Sequence, residues 1–265
     1  MDNSIGRISV IMAAYNAEGT IRSSIESALA QTYRDIEVIV VDDCSADHTA
    51  EIVESFDDPR VILLRNYKNS GAAYSRHRGA VRAGGDWIAI LDSDDLWTPD
   101  KLEKQAALVL EKGAELVFTG SGFIEADGTG IDWTLHVPET ITYRELLRQN
   151  LISDSSALVR KKLFLGGESF DNRAHEDFVC WLRILRRGVT AYGIDEPLLI
   201  YRIAKKSRSG NKVSAAMMNW RTYRAVGVDL PTSCLSMSAY MINGFKKYRQ
   251  LSKAPRNKVH QREKT

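Results

Sequence analysis

From Ile8 to Leu91 the chain alternates four short β-rich apolar runs with segments of helical period, and this rhythm restricts it to a small set of folds. Ile8 to Ala14, Ile36 to Val41, Val61 to Leu64 and Trp87 to Leu91 read as strands. Between them, Ile21, Ile25, Ala28 and Leu29 share one helical face, Ile52, Val53 and Phe56 another, and Ala72 to Ala83 forms a third helix ended by Gly84 and Gly85. Parallel strands need crossover connections, so βαβα alternation predicts a mostly parallel sheet covered by helices on both faces.

After Leu91 the rhythm changes. A helix is expected from about Pro99 to Lys112, a strand at Glu115 to Thr119, and a Gly-rich loop from Gly120 to Gly130. A smaller mixed portion follows. It holds a helix near Tyr143 to Gln149, a strand near Ala157 to Val159, a helix from Glu176 to Arg187 closed by Gly188, and a strand at Leu198 to Arg202. Ser207 to Gly210 reads as loop and Met217 to Tyr248 as one helical stretch. We divide the chain into a donor-binding half at 1–119, an acceptor-binding half at 120–206 and a helical, basic extension at 207–265.

In an open parallel sheet, ligands gather at the carboxyl ends of the strands. The first strand ends in Ala13-Ala14-Tyr15-Asn16, the second in Asp42-Asp43-Cys44-Ser45, the third leads to Asn69-Ser70-Gly71, and the fourth ends in Asp92-Ser93-Asp94-Asp95. Five carboxylates therefore converge on one edge and repel one another unless something positive stands between them. Mg²⁺ or Mn²⁺ meets that need, because such ions take one or two carboxylates together with phosphate oxygens. Asp42 and Asp43 suit a ribose hydroxyl or a base N–H, and Tyr15 suits stacking on the base. Arg76 and Arg78, two residues apart, point to different sides of their helix, so one of them is expected at a diphosphate and the other at the surface. No Gly-x-Gly-x-x-Gly follows the first strand, which argues against a dinucleotide dehydrogenase.

Taken in order, these pieces resemble the family 2 glycosyltransferases of the GT-A fold. The resemblance runs from Ile8 to Arg202 through Ser9-Val10-Ile11, Tyr15-Asn16, Gln31-Thr32-Tyr33, Val41-Asp42-Asp43, Asn69 with Gly71, Arg76 and Gly79, Leu91-Asp92-Ser93-Asp94-Asp95, and Glu176-Asp177 with Trp181. It implies a UDP-sugar-like donor, an Asp-x-Asp metal site and inverting displacement. Ala13, Tyr15 and Asp43 would line the base, Asp92 or Asp94 the ribose, and Asp94 or Asp95 the metal. Ala14, Asp42, Gly71, Arg76 and Ser93 complete the implied donor site. His77 departs from the pattern, since Asn commonly follows the Arg there.

Inverting transfer requires one base behind the anomeric carbon. Glu176 and Asp177 open a helix, and neighbouring helical residues point about 100° apart, so one of the two faces the acceptor. The resemblance favours Asp177. The same pair would equally complement the helix dipole. The same carboxylates would also serve a nucleotidyl- or phosphotransferase, and a non-catalytic scaffold is a third reading.

The first residues lack the pattern of a secretory leader, and apolar runs such as Val38 to Val41 fall far short of the roughly 20 residues that span a bilayer. Cys44, Cys180 and Cys234 fit neither a zinc site nor a disulfide framework and read as reduced thiols of a cytoplasmic protein. Residues 244–265 carry eight Lys and Arg against Glu263, a balance of +7 that leaves −5 for the rest of a chain whose net charge is +2. With Leu235, Met241, Ile242, Phe245 and Tyr248 beside Lys246, Lys247 and Arg249, this tail suits the anionic face of a membrane, and a lipid surface is favoured over nucleic acid. A helix packed on the body with a solvated end is the alternative. The expected partners are thus a nucleotide-sugar donor, a glycan or lipid-linked acceptor, and a membrane surface.

Overall fold

The computed structural model describes residues 4–167, 174–203 and 212–257. Strand β1 (Ile8–Ala14), helix α1 (Ile21–Leu29), β2 (Ile36–Asp42), α2 (Thr49–Glu54), β3 (Val61–Arg65), α3 (Ala72–Arg82) and β4 (Trp87–Ile90) follow the expected order. Then come β5 (Leu96–Trp97), α4 (Lys101–Lys112), β6 (Leu116–Glu125), β7 (Gly130–Leu135), β8 (Thr140–Ile141) and α5 (Tyr143–Leu146). A turn of 3-10 helix at Asp154–Ser156 leads to β9 (Leu158–Arg160), α6 (Lys161–Gly167), α7 (Glu176–Arg186), β10 (Ala191–Ile203), α8 (Lys212–Ala225), α9 (Leu230–Lys253) and β11 (Arg256–Asn257).

Strands β3, β2, β1 and β4 lie in that order and are parallel, with Ile8 opposite Ile36 and Trp87. Side chains alternate across a strand, so consecutive residues of β1 and β2 feed opposite faces. Val10, Met12, Val38 and Val40 pack with Ile21, Ile25 and Leu102 on one side. Ile11, Ile39 and Val41 pack with Ala80, Phe178, Trp181 and Tyr223 on the other. Every residue of β2 is buried, as expected of a strand covered on both faces. Each such Val or Ile contributes about 1.5–3 kcal/mol through burial.

Beyond β4 the sheet turns mixed. β9 is antiparallel to β4 and to β6, while β10 is parallel to β6 and antiparallel to β5. A single sheet therefore joins residues 1–119 to residues 120–206, and β6 runs through residues 119 and 120 where we divide them.

Three elements differ from expectation. The Gly120 to Gly130 stretch is not a loop: β6 continues to Glu125 and β7 returns from Gly130. Gly120 is required by close packing, since a Cβ there would lie 2.9 Å from the Glu196 carbonyl and 3.0 Å from that of Leu135. β10 begins at Ala191 rather than Leu198, interrupted by a bulge between Ile194 and Leu199 whose exposed Asp195-Glu196-Pro197 hides the strand from pattern reading. The helical stretch from Met217 is two helices, because Asp229 caps α9 by accepting the Thr232 N–H at 2.9 Å and Pro231 follows in the first turn. The expected loop at Ser207 to Gly210 lies outside the described residues, as do Lys258, Arg262, Glu263 and Lys264 of the tail. Cys44, Cys180 and Cys234 are free thiols.

Candidate active site

The carboxyl ends of β1, β2 and β4 lie side by side. Ala14 is in register with Asp42, and the Asp43 N–H donates to the Ala14 carbonyl at 2.8 Å. The Leu91 N–H donates to the Ile11 carbonyl at 3.0 Å, so Asp92 emerges at the same edge. Asn16 clips two of these ends together: its N–H donates to Ser45 Oγ at 3.0 Å and its Oδ1 accepts the Ala46 N–H at 2.8 Å. Ala13 is partly buried, Ala14 buried and the Tyr15 side chain 51% exposed, leaving its ring open for stacking.

At the β2 end both carboxylates are buried. Asp43 Oδ1 accepts Asn66 Nδ2 at 2.6 Å and the Ser70 N–H at 2.9 Å, while Oδ2 accepts the Gly71 N–H at 2.7 Å. The carboxylate thus moulds the 66–71 loop and the start of α3, where Gly71 sits at φ +90°, a conformation that favours glycine. Asp42 Oδ2 accepts the Ser45 N–H at 3.3 Å, and its Oδ1 has no partner among the described residues.

The β4 end differs. Asp92 is anchored through its N–H, which donates to Ser155 Oγ at 3.0 Å. Arg76, one of the two arginines of which one is expected at a diphosphate, points into the acidic cluster: it donates to Asp92 Oδ1 at 2.6 Å and to Asp154 Oδ2 at 2.8 Å. The physical reason is the excess of buried carboxylate around it. Burial works against the guanidinium charge, but Asp154 and Asp92 outweigh it and hold the pKa above its ordinary value. Arg78 donates to the Arg65 carbonyl and to Asn66 Oδ1.

Ser93 and Asp94 are partly buried, and Asp95 is fully so. Burial, reinforced by the Asp92 charge, pushes the Asp94 carboxyl up to about 6. Asp95 Oδ1 accepts the Arg202 N–H at 2.9 Å, and the Arg202 guanidinium donates to the Asp94 carbonyl at 2.8 Å, which ties β10 to this corner. Asp95 Oδ2 has no hydrogen-bond partner among the described residues, and burial followed by Asp92 and Asp94 raises its pKa.

Glu176 and Asp177 occupy the first turn of α7 and, with Ala73, Arg76, Asp154 and Phe164, line a small cavity of about 20 Å³. Asn150 Nδ2 donates to Asp177 Oδ2 at 3.3 Å. Burial raises the Asp177 pKa, His175 opposes that shift and Glu176 adds to it. Burial also raises Asp154, opposed by Arg76 and reinforced by Asp177, so the β4 end and the α7 start share one electrostatic network. Trp181 is buried in the core against Phe164, with ring centroids 6.4 Å apart.

Asp154, Ser155 and Asn150 are members that pattern reading does not supply. The only signal for Asp154 and Ser155 is a polar run, Ser153-Asp154-Ser155-Ser156, placed directly before a strand, and Asn150 has none. Among the described residues no group of three or more His, Cys, Asp or Glu side chains is arranged to hold a metal by itself. Asp94 nevertheless suits a hard cation, because its carboxylate is partly desolvated beside the Asp92 charge, which Arg202 offsets only in part, and Mg²⁺ commonly binds one or two carboxylates with phosphate oxygens.

The carboxylate-rich edge of the parallel sheet and the acids that open α7 thus meet through Arg76 and Asp154. The chain belongs to Glycosyl transferase family 2, which it matches over residues 9–166. It is 37% identical over 221 residues to the putative teichuronic acid biosynthesis glycosyltransferase TuaG of Bacillus subtilis, covering 83% of this chain and 88% of that one. It is 31% identical to the UDP-Glc:alpha-D-GlcNAc-diphosphoundecaprenol beta-1,3-glucosyltransferase WfaP of Escherichia coli, over 91% of this chain and 95% of that one. Among solved structures, S. aureus TarS in complex with UDP-GlcNAc superposes with a TM-score of 0.71 at 18% identity, covering 93% of this chain and 77% of that one. The mannosyltransferase PcManGT from Pyrobaculum calidifontis, in complex with GDP-Man and Mn²⁺, gives 0.62 at 17% identity over 94% and 84%. The chain is a glycosyltransferase of GT-A fold.

Proposed function

We propose that this protein transfers a hexosyl group, with inversion, from a nucleoside-diphosphate sugar of the UDP type to a hydroxyl of a glycan or lipid-linked glycan, in cell-surface polysaccharide synthesis. The observation that carries this reading is the bridge that Arg76 makes from Asp92 to Asp154, with Arg76 and Asp154 lining one small cavity together with Asp177. The relatives support the acceptor class, since WfaP is named for a sugar–diphosphoundecaprenol acceptor and TuaG for teichuronic acid biosynthesis.

On this reading Ala13, Ala14 and Tyr15 receive the base, with Asp42, whose Oδ1 is unpartnered among the described residues, accepting from base or ribose. Asp43 and Gly71 shape the loop beside it, and Asp92 and Ser93 border the ribose. Asp94 would hold a Mg²⁺ or Mn²⁺ ion, with Asp95 behind it. Such an ion neutralises charge that grows on the diphosphate as the glycosidic bond breaks. Arg76 holds Asp92 and Asp154 in place through its two ion pairs without leaving the cluster. Asp177 takes the proton of the attacking hydroxyl, and the upward shift that burial gives its pKa makes it a stronger base than an ordinary carboxylate. Glu176 tunes that charge.

The basic extension contributes attachment. Leu235, Met241, Ile242 and Phe245 are all more than half exposed on α9, and Lys246, Arg249 and Lys253 continue the same side. An anionic lipid surface matches that sequence of apolar and basic groups. No helix among the described residues is long and apolar enough to cross a membrane, so we propose a peripheral protein of the cytoplasmic face.

The direct test is protection against thermal unfolding by UDP, GDP, CMP and dTDP, with and without Mn²⁺. A Mn²⁺-dependent shift with UDP alone is expected; protection by nucleoside triphosphates with pyrophosphate release would instead mark a nucleotidyltransferase. Asp177→Asn should keep the protection and lose turnover by about 10²–10⁴-fold.

A further inference from the structure

Lys246 and Lys247 are adjacent on α9 but serve opposite surroundings. Lys246 is exposed, whereas Lys247 turns inward and is partly buried, its Nζ 5.9 Å from the centre of the Phe123 ring. No carboxylate pairs with Lys247 among the described residues, and burial pulls its pKa below the ordinary lysine value. It lines a cavity of about 170 Å³ together with Gln149, Asn150, His175, Phe178 and Tyr240. A second polar group in that wall also lacks a partner: His175 Nε2 is buried without a hydrogen bond among the described residues. A partly buried cation without a counter-charge, and a buried ring nitrogen in its protonated form, are costly unless something anionic completes them.

The position of the cavity says which anion. Asn150 belongs to its wall and also donates to Asp177 at 3.3 Å, so one side chain separates the cavity from the proposed base. A sugar whose hydroxyl reaches Asp177 presents its own anomeric substituent a single ring away. We infer that this cavity is an acceptor subsite for the phosphate or diphosphate ester carried by the acceptor sugar, with Lys247 and His175 Nε2 as its anion-binding groups. A nucleotide diphosphate belongs at the β4 end, on the other side of Asp154, and is not its occupant. The inference rests on the acceptor reading above and adds to it the charge of the acceptor and the residues that recognise it.

The experiment uses the full chain saturated with UDP and Mg²⁺, so that the donor site is filled, titrated with inorganic pyrophosphate. Wild type should bind, Lys247→Gln should bind at least about tenfold more weakly, and Lys247→Arg should recover most of the loss. Absence of wild-type binding in the millimolar range, or equal binding by Lys247→Gln, overturns the inference. Kinetics supply the second readout, with one sugar offered as its diphosphate-linked lipid and as a neutral alkyl glycoside. Lys247→Gln should raise the ratio of the two KM values about tenfold, chiefly through the charged acceptor. A KM ratio unchanged in Lys247→Gln sinks the subsite while leaving the transferase intact. Pyrophosphate binding that depends on Lys247, in a protein that transfers no sugar to any acceptor, keeps the anion site and sinks the proposed function.

Discussion

Asp43 and Asp94 both stand just past the carboxyl end of a parallel strand, yet their surroundings are opposed. Asp43 is met by three N–H groups of its own chain, from Asn66, Ser70 and Gly71. Asp94 is partly desolvated beside Asp92 and is pushed up to about 6. A carboxylate completed by the fold is part of the scaffold, whereas one left short of positive charge is poised for a ligand. Sequence alone gives both the same description, an acidic strand end. Only the partners that arrive from distant segments separate them.

The largest effect expected on this contrast is at Asp94. Asp94→Asn should lower kcat/KM about 10²–10³-fold and abolish the Mn²⁺-dependent part of UDP protection. Its stability should move the other way. A carboxyl whose folded pKa lies above its unfolded value binds protons more tightly when folded, so metal-free stability falls as pH rises from about 4 to beyond 6. The Asn variant lacks that fall, and without metal it should melt above wild type at pH 7.5 and not at pH 3.5. An inactive variant that melts lower than wild type at both pH values would break the comparison.

Asp43→Asn should show the reverse pattern. Replacing one acceptor oxygen by an amide sets two donors against each other in a buried loop, at a cost of about 2–3 kcal/mol in urea unfolding. Nucleotide binding should suffer only as far as the 66–71 loop loosens. Loss of UDP binding without loss of stability would make Asp43 a direct donor contact.

The portion up to residue 119 was legible because its physics is local. A period of two, a period of 3.6 and Gly at helix ends place β1 to β4 and α1 to α3 within a residue or two, and parallel topology then puts Tyr15, Asp42, Asp43 and Asp92 on one edge. The portion from residue 120 to 206 was less so. The Asp195-Glu196-Pro197 bulge disguises β10 as a loop followed by a short strand, and a close backbone approach at Gly120 looks like flexibility. Asp154 reaches the site because β9 inserts antiparallel between β4 and β6, a pairing that no local pattern announces. The orientation of Arg76 was illegible for the same reason, since its second partner is Asp154.

Gly120 offers a sharper test of that close approach. Gly120→Ala would set a methyl group against two carbonyl oxygens on different strands, neither of which is a flexible side chain. A loss of about 1–3 kcal/mol is expected, with β10 and β6 displaced relative to each other. Because β10 carries Arg202 to Asp95, turnover should fall further than stability alone explains. Unchanged unfolding would mean that the strands part easily and that Gly120 has no packing role.

The smallest effect separates the two acids of α7. A base acts when deprotonated, so the rate rises with pH through its pKa, and burial places the Asp177 limb above the ordinary carboxylate range. Glu176 adds to that shift through its charge. Glu176→Gln should therefore keep the plateau value of kcat and move the acid limb to lower pH by less than about one unit. The direction matters more than the size. A limb that moves upward, or a plateau that collapses, would exchange the roles of the two residues, making Glu176 the base and Asp177 the neighbour that tunes it.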